Sequence, residues 1–218
     1  MVLKVYGLGV AVCTRRIATV LHELQIPFEL VEVNLMAGEH KTPEFLEKNP
    51  FGQISYIDDD GFILYESRAI CRYLATKYKS QLLPAAGDLQ AKAIFEQACA
   101  SEYCSFDPEA AKYVLETVLK PSLYGTTPDT AEATKILEAL EPKIAAYDTI
   151  LKKSRYVAGE KLTLADLFHL PIAPLLAVGG SDVMTSQRFQ NVKHWYEELV
   201  GRASWKAYEG GVKTTLAY

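Results

Sequence analysis

The sequence has few cysteines, and their spacing excludes the common thiol-based sites. The four residues, Cys13, Cys71, Cys99 and Cys104, include no CxxC pair and no zinc-like spacing. We therefore expect no bound metal. Scattered cysteines without a disulfide pattern are typical of a protein kept in a reducing compartment, which predicts a cytoplasmic location.

Long apolar runs and an excess of positive charge are also absent. No stretch of the sequence approaches the ~20 apolar residues that span a bilayer. The opening "MVLKVYGLG" lacks the long apolar stretch and cleavage site of a signal peptide. With 23 basic and 27 acidic residues, the formal net charge of −4 gives no basis for binding nucleic acid. We expect neither a membrane nor a nucleic acid as a partner.

The residues that are present divide the chain into an α/β part and a helical part. In residues 1–80, "VLKVY" and "FELVEVNL" indicate strands, and "RRIATVLHEL" between them has the apolar spacing of a helix. "SYIDDDGFILYE" predicts a hairpin because Asp60-Gly61 suits a tight turn. The helix "SRAICRYLATKY" follows, with Ser67 in position to cap it.

The second part of the chain is predicted to be almost entirely helical. Residues 81–90 contain Pro84 and Gly87, interrupt the periodicity and indicate a linker. Residues 91–218 show repeated helical apolar spacing, which predicts a helical bundle. Within it, Thr163 and Asp166 have the spacing of a capping box.

Several motifs identify a family resemblance that covers nearly the whole chain. "GEHKTPEFLEKNPFGQ", followed by "FILYESRAICRYLATKY", resembles the phi class of glutathione transferases, the plant and fungal branch of that family, and indicates a fungal phi-like or fungus-specific member. "SFDPEAAKYVLE", "RYVAGEKLTLADLFHLP" and "NVKHWYEELVGRASWK" are similar to segments of its second domain. The resemblance implies a thioredoxin-like N-terminal domain, an all-α C-terminal bundle, an open cleft for an electrophile and a homodimer.

The resemblance also implies a set of glutathione contacts. Six residues match the family's motif: His40, Lys41, Gln53, Ile54, Glu66 and Ser67. Their chemistry suits a tripeptide with two carboxylates. A helix N-terminus at Ser67 favours the γ-glutamyl carboxylate, Glu66 can pair with the ammonium, and His40 and Lys41 can hold the glycyl carboxylate. Ile54 would pair its main chain with the cysteinyl residue, and the Gln53 amide can donate or accept. Taken singly, each of these residues is also compatible with a solvated loop or a helix cap.

The first loop departs from the phi pattern. Those enzymes carry a serine whose hydroxyl donates to the glutathione sulfur, and Ala11 occupies that position here. The missing bond is worth about 1.5–3 kcal/mol, or one to two pKa units of thiolate stabilisation. Main-chain N–H groups of Val12 or Cys13 could replace it in part. Because Cys13 lies about 200° around a helical turn from Ala11, we expect its side chain to point towards the domain core.

The second departure is Ser55, which stands where the thioredoxin-like fold has a cis-proline. A cis bond to a non-proline residue costs about 2.5–4 kcal/mol. Both a trans bond with a reshaped loop and a retained cis bond are open at this point, and each puts the main-chain contact of Ile54 in question.

The matched family also implies a hydrophobic second-substrate site. Its predicted lining, which is largely apolar and aromatic, consists of Leu8, Val10, Ala11, Met36, Tyr103, Phe106, Lys120 and Tyr124. Core packing is the alternative role for each of these residues.

Four functions follow from these observations, the last of which is a regulatory or purely structural role. The first is conjugation of glutathione to hydrophobic electrophiles, weakened by Ala11. The second is a ligand-binding homologue that holds aromatic or phenolic molecules with little or no catalysis, which the 13 tyrosines would favour. The third, least favoured, is glutathione-dependent thiol reduction through Cys13.

Overall fold

The computed structural model describes residues 2–218, which divide into two compact units. The first contains the described residues up to Leu83 together with Arg202–Tyr218, and the second is Pro84–Gly201. The break at Leu83 falls inside the predicted linker, although helix already begins at Leu89. The C-terminal boundary differs from the predicted 91–218, because the last 17 residues pack with the N-terminal unit.

The first unit is built on a four-stranded mixed sheet in the order β2-β1-β3-β4. β1 pairs in parallel with β2 and antiparallel with β3, and β3 forms a hairpin with β4. Asp60 (φ 57°) and Gly61 (φ 89°) form the tight turn that their sequence predicts. The strands are β1 (Leu3–Gly7), β2 (Phe28–Glu32), β3 (Tyr56–Asp59) and β4 (Phe62–Tyr65).

Helices cover this sheet and carry the loops of the candidate site. The first helix buries Ile17, Val20 and Leu21, the stripe expected from its sequence. A 3₁₀ turn at Glu39–Lys41 precedes the second helix. The helices are α1 (Val12–Glu23), α2 (Pro43–Lys48) and α3 (Ser67–Lys77), and α11 (Ala203–Lys206) packs on α1.

The second unit is helical, as predicted. Residues 89–124 alternate α-helix with two π-helical turns, Glu102–Phe106 and Leu115–Leu119. Pro108 and Pro121 follow these turns; proline lacks the N–H that an α-helical interior needs, so such residues favour local changes of helical pitch. The helices are α4 (Leu89–Ser101), α5 (Asp107–Val114), α6 (Lys120–Tyr124), α7 (Thr130–Leu151), α8 (Leu164–Leu167), α9 (Ala173–Val178) and α10 (Gln190–Val200).

Candidate active site

The loop from β1 to α1 presents main-chain donors and no side-chain donor. Ala11 is the N-cap of α1, with an extended backbone (φ −73°, ψ 141°) and no side-chain capping bond. Its N–H donates to the Leu8 carbonyl oxygen at 2.9 Å. The N–H groups of the first helical turn, including those of Val12 and Cys13, have no acceptor within the helix. This turn is therefore suited to a partial negative charge.

Cys13 faces the Ile54–Ser55 segment, contrary to the prediction that it points towards the domain core. Its half-buried thiol donates to the Ile54 carbonyl oxygen at 3.3 Å, and the Ser55 hydroxyl donates to Cys13 Sγ at 3.6 Å. The buried hydroxyls of Thr14 and Ser55 are 2.9 Å apart. The prediction failed because it measured a helical rotation from Ala11, whose backbone is extended and lies outside the helix.

The Ile54–Ser55 peptide bond is cis, which decides between the two alternatives left open by the sequence. Ser55 itself is 2% exposed, and its hydroxyl hydrogen-bonds to Cys13 and Thr14 on α1.

The His40–Lys41 segment lies against the glycine that precedes Gln53. Lys41 Nζ donates to the Gly52 carbonyl oxygen at 2.7 Å. A Cβ on Gly52, which has φ 57°, would lie 2.9 Å from Lys41 Nζ and 3.0 Å from the His40 carbonyl oxygen, so only glycine allows this approach. The buried Asn49 donates from Nδ2 to the Gln53 carbonyl oxygen at 2.6 Å and fixes the adjoining loop.

His40 carries a polar atom that suits an external ligand. Its Nδ1 is buried and has no hydrogen-bond partner among residues 2–218. Buried polar atoms usually have partners, so this nitrogen together with the neighbouring Lys41 ammonium fits a ligand with a carboxylate. The side chain of Gln53 is exposed on the adjacent loop.

Glu66 and Ser67 mark the N-terminus of α3, one residue out of step with the predicted cap. Glu66 is the N-cap, with φ 69°, and its exposed side chain makes no capping bond. Ser67 is the first helical residue, and its buried hydroxyl accepts a hydrogen bond from Arg16 Nη1 at 2.9 Å. The prediction that Ser67 caps the helix is therefore wrong, because its hydroxyl bonds to a side chain of α1 rather than to an N–H of α3.

The predicted second-substrate residues of the first unit are all accessible. Val10 and Met36 are exposed, at 61% and 89%, and Leu8 and Ala11 are half-buried.

Of the four predicted in the helical unit, Phe106 is wrongly assigned. It is fully buried and packs against Tyr147 and His169, with ring centroids 6.3 and 4.8 Å away. Tyr103 and Tyr124 are exposed. Lys120 is paired with Glu116, and this hydrogen bond raises the pKa of the lysine.

Two positions with structural roles at the site were not singled out from the sequence. Asn49 and Arg16 are both buried; Asn49 bonds to the loop that carries Gln53, and Arg16 bonds to Ser67 at the start of α3. Asn49 lies within the motif "KNPFGQ", so its place beside Pro50 was a usable signal. No signal in the sequence indicated that Arg16 is buried, since an arginine beside another arginine commonly indicates a solvated helix face.

A cavity of about 320 Å³ lies within the helical unit. Tyr113 donates from its hydroxyl to the Gly179 carbonyl oxygen at 2.8 Å along one wall. Its lining is mixed apolar and hydroxyl-bearing: Tyr113, Thr117, Pro128, Thr130, Ala133, Thr134, Leu137 and Gly179.

Neither a metal site nor a membrane-spanning helix is found in the described part of the chain. Within residues 2–218, no three His, Cys, Asp or Glu side chains are grouped so that they could hold a metal ion. No helix there has the length and apolar character needed to cross a membrane.

Comparison with known families shows to which family this chain belongs. The family description "Glutathione S-transferase, N-terminal domain" matches residues 1–76, and "Glutathione S-transferase, C-terminal domain" matches residues 106–203. The chain belongs to the glutathione S-transferase family. The resemblance drawn from the motifs and the predicted pairing of a thioredoxin-like domain with a helical domain are both confirmed.

Individual relatives of this transferase come from a plant and a fungus. Glutathione S-transferase PM239X14 of Arabidopsis thaliana is 42% identical, over 88% of this chain and 89% of its own. Glutathione S-transferase hmp2 of Hypomyces subiculosus is 38% identical, over 94% and 96%. A solved structure of glutathione S-transferase-I, bound with lactoylglutathione, superimposes with a TM-score of 0.91 at 32% identity, over 96% of this chain and 99% of that one.

Proposed function

We propose that this transferase conjugates glutathione to hydrophobic electrophiles and that it does so slowly for its family. The observation that carries the proposal is that one compact unit contains three polar segments, His40–Lys41, Gln53–Ile54 and Glu66–Ser67, and that Lys41 bonds to the glycine beside Gln53. A relative with the same fold binds a glutathione derivative.

The three segments match the three parts of glutathione. The orphaned Nδ1 of His40 and the Lys41 ammonium suit the glycyl carboxylate. The N–H and carbonyl of Ile54 suit the cysteinyl main chain; the Cys13 thiol uses only one of the two lone pairs on that carbonyl oxygen. The N-terminus of α3 at Ser67 suits the γ-glutamyl carboxylate, and the exposed Glu66 carboxylate suits the ammonium.

In the proposed reaction the glutathione thiolate attacks the electrophilic carbon. A carbon–sulfur bond forms, the bond to the leaving group breaks, and the leaving group departs with the bonding electrons. The enzyme lowers the barrier by stabilising the thiolate beforehand. Because Ala11 has no side-chain donor and its N–H donates to Leu8, we propose that the N–H groups of Val12 and Cys13 supply this stabilisation through the helix N-terminus.

The test is turnover of a chloronitrobenzene with glutathione, followed by the absorbance of the thioether product. We expect a rate above the uncatalysed reaction that saturates with glutathione. Binding of glutathione by calorimetry without turnover would favour the second function below. Absence of glutathione binding would overturn the proposal.

A second candidate function is the binding of aromatic or phenolic molecules. The cavity in the helical unit favours it, because Tyr113 and three threonines place hydroxyl groups beside apolar walls. Such ligands should raise the melting temperature through linkage. A panel of phenols that leaves the melting temperature unchanged would remove this candidate.

We also propose that the transferase is a cytoplasmic homodimer. The free cysteines among the described residues, Cys13, Cys71, Cys99 and Cys104, suit a reducing compartment. The exposed Phe51, at 65%, provides apolar surface for a second copy. Light scattering should give twice the chain mass of 24.2 kDa, and a single-chain mass would exclude the dimer.

A further inference from the structure

Arg16 is a buried cation that hydrogen-bonds to a residue at one end of the proposed glutathione site. It lies on α1, is 3% exposed, and donates from Nη1 to Ser67 Oγ at 2.9 Å. Ser67 begins α3, where we place the γ-glutamyl carboxylate. The guanidinium therefore contacts the group that we expect to meet the ligand, without standing in the ligand's place.

The chemistry of this hydrogen bond fixes the direction of the serine hydroxyl. A guanidinium has five donors and no acceptor, so the Ser67 oxygen can only accept from it. The hydroxyl hydrogen of Ser67 then points away from Arg16 and is left to donate. An unrestrained serine could rotate and accept from an ammonium as readily as it donates to a carboxylate. Arg16 removes that choice.

The packing of α1 on α3 holds Arg16 in this position. The buried Cys71 of α3 donates from its thiol to the Arg16 carbonyl oxygen at 3.7 Å. Burial raises the pKa of Cys71 to about 12, so this group stays a thiol at neutral pH. The main chain and the side chain of Arg16 are thus both tied to α3, and its positive charge adds to that of the helix N-terminus.

We propose that Arg16 is a positioning residue that fixes the Ser67 hydroxyl as a donor to the γ-glutamyl carboxylate of glutathione. The inference rests on the proposed function and deepens it. It predicts that Arg16 matters for one carboxylate of the ligand and not for the remainder.

The test compares two ligands by calorimetry: glutathione, and glutathione amidated at the γ-glutamyl α-carboxylate. Arg16→Gln should raise the Kd for glutathione about tenfold, in line with loss of one charge-assisted hydrogen bond. It should change the Kd for the amidated ligand less than about twofold. Arg16→Lys, which keeps charge and a donor, should recover part of the affinity. Arg188→Gln removes an exposed arginine of the other unit and serves as the matched control.

A double-mutant cycle tests whether Arg16 acts through Ser67. Ser67→Ala should itself weaken glutathione binding, and adding Arg16→Gln to it should cost less than about a further twofold. If the two effects add in full, Arg16 does not act through Ser67 and the proposal fails. Should Arg16→Gln not fold, as judged by its melting transition, Arg16→Lys with and without Ser67→Ala carries the same comparison.

The two proposals fail in different ways. If the unmodified enzyme binds glutathione and the Arg16 variants lose affinity equally for both ligands, or for neither, only the role of Arg16 is overturned. If the unmodified enzyme binds no glutathione, the proposed function fails, and the role of Arg16 fails with it.

Discussion

At the residue scale, Ala11 leaves the N-terminus of α1 without a side-chain donor, and the proposed stabilisation of the glutathione sulfur by main-chain N–H groups starts from this observation. The residue caps α1 without a side-chain bond, so the helix N–H groups are the donors that remain at this point. Ala11→Ser would add a hydroxyl at the position where phi-class enzymes carry one. One added hydrogen bond to a thiolate is worth about 1.5–3 kcal/mol, so we expect the rate at pH 6.5 to rise about tenfold or more.

The measurement is the pH dependence of conjugation of a chloronitrobenzene. The apparent pKa of bound glutathione should fall by one to two units in Ala11→Ser, because the added donor favours the thiolate. Ala86→Ser, at an exposed position of the second unit, is the control for the substitution itself. An unchanged pH profile would show that position 11 does not face the sulfur.

At the element scale, the start of α8 is held by one buried carboxylate. Asp166 is fully buried and accepts from the N–H and hydroxyl of Thr163, the N–H of Val157 and Trp195 Nε1, at 2.9–3.0 Å. The sequence predicts only the capping box with Thr163. The bonds from Val157 and Trp195 also connect α8 to the preceding loop and to α10. Burial raises the pKa of Asp166, and the four donated bonds oppose that rise.

We expect Asp166→Asn to destabilise the protein by about 3 kcal/mol. The amide group places two hydrogens where the carboxylate accepted, so buried donors lose their partners. Urea unfolding measures the loss, and the exposed substitution Asp182→Asn is the matched control. A loss below about 1 kcal/mol would show that the donors find other acceptors.

Local signals predicted these elements better than they predicted contacts between elements. Asp60-Gly61 fixed its hairpin because a tight turn requires positive φ at both positions, which is a property of those two residues alone. Ser67 was wrongly predicted to cap α3. Its hydroxyl bonds instead to Arg16, and that contact arises only when α1 packs on α3. Cys13 and Phe106 were misjudged for the same reason: their directions depend on neighbours distant in sequence.

At the scale of the whole molecule, both ends of the chain build the first unit. Thr215 exchanges two main-chain hydrogen bonds with Phe28 at the edge of β2, and Val212 donates to the Gly9 carbonyl oxygen at 2.9 Å. The tail thereby pairs with part of the β2 edge of the sheet, which would otherwise be open to pairing with other chains. The sequence assigned this segment to the helical domain because the tail carries no local pattern that identifies its partner strand.

The return of the chain is anchored by Glu23, and this contact should make stability depend on pH. Glu23 accepts from Arg202 Nε and Nη2 at 2.6 and 2.9 Å and also bonds to the Ser204 hydroxyl. Burial opposes its ionisation, but the bonds from Arg202 and Ser204 outweigh burial and hold its pKa below the usual 4.5. A lowered folded-state pKa adds stability that is present above the unfolded value and lost as the pH falls through the folded value.

Glu23→Gln should therefore lower the free energy of unfolding by about 1–2 kcal/mol at pH 7. The difference from the unmodified protein should shrink as the pH falls below 4.5, where the unfolded state takes up the proton first, and it should be smallest below the lowered folded-state pKa, where the glutamate is protonated in both states. Urea unfolding from pH 7 to pH 3 measures this difference in the free energy of unfolding, and Glu29→Gln at an exposed position of β2 is the control. A difference that stays constant over this range would mean that the shape of the side chain, and not its charge, anchors the C-terminal segment to α1.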